Sequence, residues 1–177
     1  MKSSTIYKAF VELSNLNSHT YESFNLTMAK HPSENESRMM YRLVSYLHES
    51  NKNLEFTRGL SSTDEPEVWE KGASGEVIHW IEMGEPDEKR IRKVCGKSQK
   101  VTIYTYNQNT AHLWFEKIKN KLIGNQKVKI YHIQNQEDFE VLINRSMKLD
   151  CLIEDQSLYL SDELNRIEFF IQPQNLT

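Results

Sequence analysis

The stretch VIHWIEMGEPDEKRIRKVCGKSQKVTIYTY, residues 77–106, carries the clearest secondary-structure pattern in the chain. Residues 77–83 are apolar on both faces, which is typical of a strand buried in the middle of a sheet. Pro86 then opens a helix with acidic residues in its first turn, and Gly96 lies near the helix end. A second strand follows at 100–106. A strand, a helix and a strand in this order predict a right-handed parallel crossover, and hence an α/β protein.

The segments on the amino-terminal side of this stretch predict a hairpin followed by one long helix. Residues 5–16 and 21–30 alternate in polarity on either side of a short turn, as hairpin strands do. The helix is expected at about 33–50, because Ser33 and Glu36 have the spacing of a capping box and apolar residues then recur at helical spacing. A short strand at 54–57 and an acidic segment with a turn of helix around Trp69 complete this half.

The carboxyl-terminal side continues the alternation of helices and strands. The pattern predicts helices at 109–123 and 136–144, and strands at 127–133, 147–154, 158–160 and 166–171. Repeats, low-complexity tracts and Pro/Gly linkers are not found in the sequence, so residues 1–177 are expected to form a single domain. The predicted fold class is α/β, a mixed β-sheet with flanking helices, an N-terminal β-hairpin and C-terminal strands.

Composition and charge limit the classes of function. Hydrophobic residues make up 38% of the chain and charged residues 27%, which is typical of a globular protein. The formal net charge of −3 means that nucleic acid would have to be bound by a local basic patch. Two cysteines without metal-ligand spacing, and the lack of a signal peptide or an apolar run of about 20 residues, predict a cytoplasmic protein.

The lysines and arginines are concentrated in one part of the chain. Residues 86–100 contain six of them against two acidic residues, and five further lysines follow at positions 117, 119, 121, 127 and 129. A solvated face and a track for phosphates are both compatible with this second group. The local patch most suited to nucleic acid is formed by Lys89, Arg90, Arg92, Lys93 and Lys97.

Carboxylates near the strand at 77–83 are the candidate chemical groups. Glu82 shares its strand face with Ile78 and Trp80, where a carboxylate is costly unless it is paired or bound to a metal. It is therefore either a metal ligand or the partner of a helix or loop arginine, such as Arg58. Asp64, Glu65 and Glu67 form an acidic cluster upstream, which is either part of a metal site or a solvated loop.

Several runs of sequence closely resemble the YaeQ family of bacterial proteins. They are HPSENESRMMYRL (31–43), FTRGL (56–60), DEPEVW (64–69) and IHWIEMGEPDEKRIRKVCG (78–96), with a looser match at VTIYTY (101–106). The resemblance implies a variant of the PD-(D/E)XK restriction-endonuclease-like fold. Pro66 and Glu67 would then stand for the PD of that motif, and Glu82, Met83 and Gly84 for the (D/E)XK.

The resemblance also implies a set of site residues. Glu67 and Glu82 would bind Mg²⁺, or Mn²⁺ in its place, with help from Glu65 or Asp64. Because Gly84 replaces the motif lysine, the basic group would come from the next helix, where the helical wheel favours Arg90 or Arg92 over Lys93. Arg58 would also face the phosphate. Glu34 is either a further carboxylate of the site or the i, i+4 partner of Arg38.

Two functions follow as expectations. The first is Mg²⁺-dependent phosphodiester hydrolysis of nucleic acid through the carboxylates and basic residues just named. The alternative is a catalytically degenerate nuclease fold that acts as a nucleic-acid- or protein-binding module. The replacement of the motif lysine by Gly84 favours the alternative, and the closeness of acidic and basic residues in sequence favours the enzyme.

Overall fold

A computed structural model describes residues 3–58 and 63–177. Within these ranges the chain forms ten β-strands and three α-helices. In chain order they are β1 (Thr5–Asn15), β2 (Thr20–Lys30), α1 (Glu36–His48), β3 (Leu54–Phe56), β4 (Val68–Lys71), β5 (Val77–Met83), α2 (Glu88–Cys95), β6 (Ser98–Thr105), α3 (Ala111–Leu122), β7 (Val128–Gln134), β8 (Ser146–Glu154), β9 (Ser157–Ser161) and β10 (Arg166–Gln174).

All ten of these strands belong to one mixed sheet, in the order β2-β1-β8-β9-β10-β7-β6-β5-β4-β3. Strands β5, β6 and β7 are parallel to one another, and β1 is parallel to β8. The remaining neighbours are antiparallel. The predicted hairpin of β1 and β2 and the parallel crossover from β5 to β6 are therefore confirmed.

The predicted fold class is wrong in its architecture. The expectation was a PD-(D/E)XK-type sheet flanked by helices, whereas the structure is a single ten-stranded, nearly closed sheet with three α-helices in its described part. The sheet curves around α1, since Tyr46 of that helix packs 5.9 Å from the ring of Phe24 in β2 and 4.7 Å from the ring of Phe56 in β3. The β1–β8 pairing, which joins the two ends of the chain, cannot be inferred from local periodicity.

The two faces of the sheet have separate hydrophobic cores. On the inner face, apolar residues of α1 at the predicted helical spacing are fully buried, among them Met39, Leu43 and Leu47. On the outer face, Trp80 of β5 packs with Ile91 of α2 and with residues of β6, α3 and β7. Helix α1 and the pair α2 and α3 therefore lie on opposite sides of the central strands.

Three local predictions also need correction. The N-cap of α1 is Asn35, whose side chain accepts a hydrogen bond from the Arg38 backbone at 2.8 Å, and the hydroxyl of Ser33 instead lies 2.6 Å from His31 Nδ1. The segment around Trp69 is strand β4, because its backbone pairs with both β3 and β5. The predicted helix at 136–144 is reduced to a 3₁₀ turn at Phe139–Leu142.

Candidate functional site

Glu82 lies near the end of β5 on the side of the sheet that faces α2. Its carboxylate accepts hydrogen bonds from Trp80 Nε1 at 2.6 Å and from Arg90 Nε and Nη2, both at 3.2 Å. The guanidinium of Arg90 also lies 5.3 Å from the centre of the Trp80 ring. The carboxylate at the end of this apolar row is thus paired with an arginine of the next helix, and that arginine is one of the two that the helical wheel favoured.

Arg90 also holds the acidic segment that precedes β4. Its Nη1 donates to the backbone oxygen of Thr63, and its Nη2 lies 3.4 Å from the backbone oxygen of Glu65. Beside it, the Asp64 carboxylate accepts from Lys93 at 2.9 Å and lies 3.5 Å from Lys97. The hydrogen bond and charge of Lys93 hold the pKa of this exposed carboxyl below its usual value. The segment is therefore fixed to α2 by backbone and side-chain contacts.

Glu67 points to the other side of the sheet, towards α1. Arg38 Nη2 donates to its Oε1, and Arg38 Nη1 lies 3.3 Å from its Oε2 and 2.9 Å from Glu34 Oε1. Burial opposes the charge on Arg38, but the hydrogen bond and charge of Glu67 outweigh burial and raise the arginine pKa. The i, i+4 pairing of Glu34 with Arg38 is confirmed.

Arg42, which the sequence did not identify as a site residue, extends this arrangement into the core. Its side chain is completely buried, and its Nη2 donates to Ala29 O and Glu34 Oε2, both at 3.1 Å. Its Nε and Nη1 have no hydrogen-bond partner among the described residues. We call Glu34, Arg38, Arg42 and Glu67 the buried ion cluster, which carries two negative and two positive charges. Arg42 could have been found from the sequence, because it is an arginine within the apolar stripe of α1.

The structure does not bring Glu67 and Glu82 into one site. The register of β4 and β5 places Val68 opposite Ile81, so the two glutamates are close along the backbone. Glu67 precedes the first residue of β4, however, and its side chain enters the buried ion cluster while that of Glu82 meets Arg90 on the opposite face. Each carboxylate is already neutralised by its own arginine.

The resulting donor set does not fit a divalent cation. Mg²⁺ is bound by converging oxygen ligands, and the described residues contain no group of three or more His, Cys, Asp or Glu side chains that could hold a metal. Glu65 contributes a backbone oxygen to Arg90, and Asp64 is exposed and paired with lysines. These carboxylates are therefore not arranged for catalysis through Mg²⁺.

The other basic residues that were predicted for the site lie at separate places on the surface. Arg92 is exposed and pairs with Glu88 of its own helix at 2.5 Å. Lys93 and Lys97 are half exposed and both approach Asp64. Lys89 and Arg58 are exposed at the surface. Within residues 3–58 and 63–177, the predicted basic residue that contacts Glu82 is therefore Arg90.

The outer helices form a surface of strong positive charge. Residues 86–127 contain ten Lys and Arg against three Asp and Glu, so this segment carries seven positive charges in excess while the whole chain is at −3. Lys100 faces the α1 side, where it pairs with Glu49. We call the exposed or half-buried basic residues of α2, α3 and their flanking loops the basic face: Lys89, Arg92, Lys93, Lys97, Lys117, Lys119, Lys121 and Lys127. Lys121 also bridges to Glu88, which fixes α3 beside α2.

In the described part of the chain, no helix combines the length and apolar character that crossing a membrane requires.

Comparison with known proteins decides the family. The family model described as "YaeQ protein" matches residues 1–171. The chain belongs to the YaeQ family. It is 36% identical over 166 residues to the uncharacterized protein YaeQ of Escherichia coli (strain K12), and 35% identical to that of Salmonella typhi; each match covers 93% of this chain and 92% of the relative.

Two solved structures of YaeQ proteins resemble this chain over nearly its whole length. The crystal structure of the YaeQ protein from Xanthomonas axonopodis pv. citri has a TM-score of 0.93 and 29% identity, and the match covers 98% of this chain and 99% of that one. The YaeQ protein from Pseudomonas syringae has a TM-score of 0.88 and 34% identity, with 97% and 96% covered. These YaeQ proteins share the fold, and their names state no activity, so a function must be argued from the geometry.

Proposed function

We propose that this YaeQ-family protein is a nucleic-acid-binding module that contacts the phosphate backbone through the basic face. The observation that carries the proposal is the concentration of positive charge on α2 and α3 in a chain whose net charge is negative. With seven positive charges in excess in residues 86–127, the rest of the chain carries ten negative charges in excess. Such a separation directs a polyanion to one side of the molecule.

The environment of these side chains supports the proposal. Arg92 has 74% of its side chain exposed, and Lys121 and Lys93 have 53% and 50%. The acidic groups on this surface are Asp64, Asp87, Glu88 and Glu116, and against the eight residues of the basic face they leave four positive charges in excess. Neutralising phosphates releases counterions, which is the main source of sequence-independent affinity.

The neutralised carboxylates support binding in preference to hydrolysis. Hydrolysis assisted by a metal needs acidic groups that are free to hold the ion. Glu67 and Glu82 are each bonded to an arginine, and they lie on opposite faces of the sheet. The ion pairs of the basic face are exposed to solvent, so its lysines and Arg92 can exchange their carboxylate partners for phosphates at little cost.

Fluorescence anisotropy with labelled single-stranded DNA, single-stranded RNA and duplex DNA tests the proposal. We expect saturable binding that weakens with salt, with a log–log slope of roughly −2 to −3 if three or four phosphates of a single strand are neutralised. The double variant Lys89→Glu/Arg92→Glu should abolish binding. Lys8→Glu/Lys148→Glu makes the same change in charge at exposed positions of β1 and β8 and should retain at least half of the affinity.

The outcomes separate binding from hydrolysis. Equal loss of binding in both double variants would reject the basic face as the contact surface. Incubation of the same substrates with Mg²⁺, Mn²⁺ or a chelator tests cleavage. Metal-dependent cleavage that is lost in Glu67→Gln or Glu82→Gln would replace the binding proposal by a hydrolytic one.

A further inference from the structure

A cavity of about 240 Å³ lies at the carboxyl ends of β6 and β7, beside the first turn of α3. Here the parallel part of the sheet ends, because β7 is parallel to β6 and antiparallel to β10. We call this space the glutamine cavity.

Uncharged polar side chains form its floor. Along the same face of β7, the buried Val128 and Ile130 are followed by His132 and Gln134. The neighbouring β10 places Gln172 opposite His132, and Gln174 lies two residues further on. Among the described residues the lining contains no Asp, Glu, Lys or Arg, and burial lowers the pKa of His132 against the opposing charge of Glu85, which disfavours the charged imidazole. A ligand that matches these walls is polar and carries no charge.

Two polar groups lie side by side at the rim, the exposed Gln108 and the half-buried His132. The Gln108 amide nitrogen donates to Tyr106 O and Ile133 O, both at 3.0 Å, which uses both of its hydrogens and leaves Oε1 as an acceptor. That oxygen forms a long hydrogen bond of 3.4 Å with His132 Nε2, which a bound ligand would replace, and His132 Nδ1 lies 2.8 Å from the Thr105 hydroxyl. An amide oxygen beside an imidazole nitrogen, which donates or accepts according to its tautomer, matches the adjacent donor and acceptor groups on the edge of a nucleobase.

Two aromatic residues of α3 also line the cavity. Trp114 and Phe115 are half-buried, and the Trp114 indole is fixed by a 2.8 Å hydrogen bond from Nε1 to Pro86 O. Flat aromatic walls bind bases by stacking. The volume is below the roughly 300–1,000 Å³ of sites for drug-sized molecules, and therefore suits a single ring system.

We propose that the glutamine cavity binds one unstacked nucleobase. Two sources have this chemistry, a free nucleoside and a base of a strand that lies on the basic face. The second source rests on the proposed function, since α3 contributes both to the cavity and to the basic face. Binding of a free nucleoside does not depend on it.

Titration with adenosine, guanosine, cytidine and uridine, followed by tryptophan fluorescence and by calorimetry, tests the proposal. These probes carry no phosphate. We expect saturable binding of at least one nucleoside, about tenfold weaker in His132→Leu because hydrogen bonds to the ring are lost. His31→Leu is the matched control, at a half-buried histidine near the start of α1, and should bind as the unmodified protein does. Circular dichroism verifies that both variants are folded.

Further measurements distinguish a failure of the cavity proposal from a failure of the proposed function. Ribose alone should not compete, and equal competition by ribose would assign the cavity to sugars and overturn the proposal. The absence of saturable binding for all four nucleosides at millimolar concentration, while labelled strands still bind, would reject the cavity and leave the proposed function intact. Nucleoside binding that persists in Lys89→Glu/Arg92→Glu would support the cavity whatever the outcome for the strands.

Discussion

The guanidinium of Arg42 is fully buried, and its charge is compensated by the carboxylate of Glu34, which is 4% exposed. Burial lowers the pKa of Arg42, and the negative charges of Glu34 and Glu67 oppose that effect. A buried ion pair adds little stability compared with apolar residues of the same shape, but removal of one partner leaves an uncompensated charge in the core. The buried ion cluster therefore makes the fold sensitive to single substitutions.

The first prediction concerns Glu34→Gln. We expect the free energy of unfolding to fall by about 3–5 kcal/mol, because Arg42 would remain charged and buried without its carboxylate. Urea denaturation followed by circular dichroism measures the change. Glu55→Gln makes the same substitution at an exposed position of β3 and should change stability by less than about 0.5 kcal/mol. Similar values for both variants would contradict a structural role for the cluster.

The second prediction concerns Glu82→Gln and separates an ion pair from a metal site. Glu82 and Arg90 have only 14% and 22% of their side chains exposed, so we expect a loss of about 1.5–3 kcal/mol, less than for the fully buried Glu34. The amide oxygen can still accept from Trp80, and Arg90 keeps its hydrogen bonds to the backbone oxygens of Thr63 and Glu65. Carboxylates gathered to hold a metal would behave in the opposite way, since removing one relieves repulsion. A rise in melting temperature in the absence of metal would therefore contradict the ion-pair assignment.

The third prediction concerns pH. Burial, opposed by the charge of Glu49 and assisted by that of Lys100, lowers the pKa of His79 from 6.5 to about 4; Glu70 and Lys129 also act on it. Between these pH values the unfolded chain binds a proton that the folded chain does not. Stability from this residue is therefore complete above pH 6.5 and is lost as the pH falls towards 4, by at most about 3 kcal/mol.

Chemical denaturation at pH values from 4 to 7 measures this dependence. In His79→Gln the fall in unfolding free energy between pH 6.5 and 4 should be smaller than in the unmodified protein. His112→Gln makes the same change at an exposed residue of α3 and should leave the pH dependence as it was. Identical pH dependence in the His79 variant and the unmodified protein would show that this imidazole is not responsible.

At the scale of elements, α2 holds the segment in front of β4 in place. Arg90 contacts the backbone oxygens of Thr63 and Glu65 as well as Glu82, and Asp64 pairs with Lys93. These contacts join a helix to a segment that lies about 25 residues earlier in the sequence. The position of this segment therefore depends on α2 and not on its own sequence.

The fourth prediction follows from that dependence. Arg90→Ala should increase the amide hydrogen exchange of residues 63–67, because their backbone loses its anchor while the rest of the sheet is unchanged. Arg92→Ala is the control, since Arg92 is exposed and pairs with Glu88 of the same helix. Hydrogen exchange followed by mass spectrometry resolves the segment. Unchanged exchange in Arg90→Ala would show that other contacts hold it.

The strands and helices also show which elements local sequence patterns predict correctly. Alternation identified β1 and β2 over nearly their full lengths, and the helical period identified α1 and its buried face. The sequence predicts an acidic segment with a turn of helix around Trp69, whereas pairing with two neighbouring strands makes this segment β4. Local pattern is decisive for long elements, and tertiary pairing overrides it for short ones.

At the scale of the whole molecule, the two ends of the chain complete one sheet. Strand β1 lies between β2 and β8, and its buried residues Val11 and Leu13 belong to the same core as Phe169 of β10 and Leu43 of α1. A unit formed by either half alone would expose an unpaired strand edge and part of that core. The two halves should therefore depend on each other for stability.

The fifth prediction is a single cooperative unfolding transition. Tryptophan fluorescence reports on Trp69, Trp80 and Trp114 in the middle of the chain, and far-ultraviolet circular dichroism reports on all strands and helices. The two melting curves should coincide, as expected for one domain over residues 1–177. Deletion of residues 1–30 should abolish folding, because β8 would lose its neighbour. Two separate transitions would contradict the single-domain prediction.

The sequence by itself determined the hairpin, the parallel crossover, the buried face of α1 and the resemblance to YaeQ proteins that the family comparison confirmed. Each of these depends on residues close together in the chain. Only the tertiary structure decided that β1 pairs with β8, that Arg38 holds Glu67 across 29 positions, and that Glu82 faces the opposite side with Arg90. The physical reason is that the partner of a strand edge or of a buried charge is chosen by proximity in the folded state, which local periodicity does not encode.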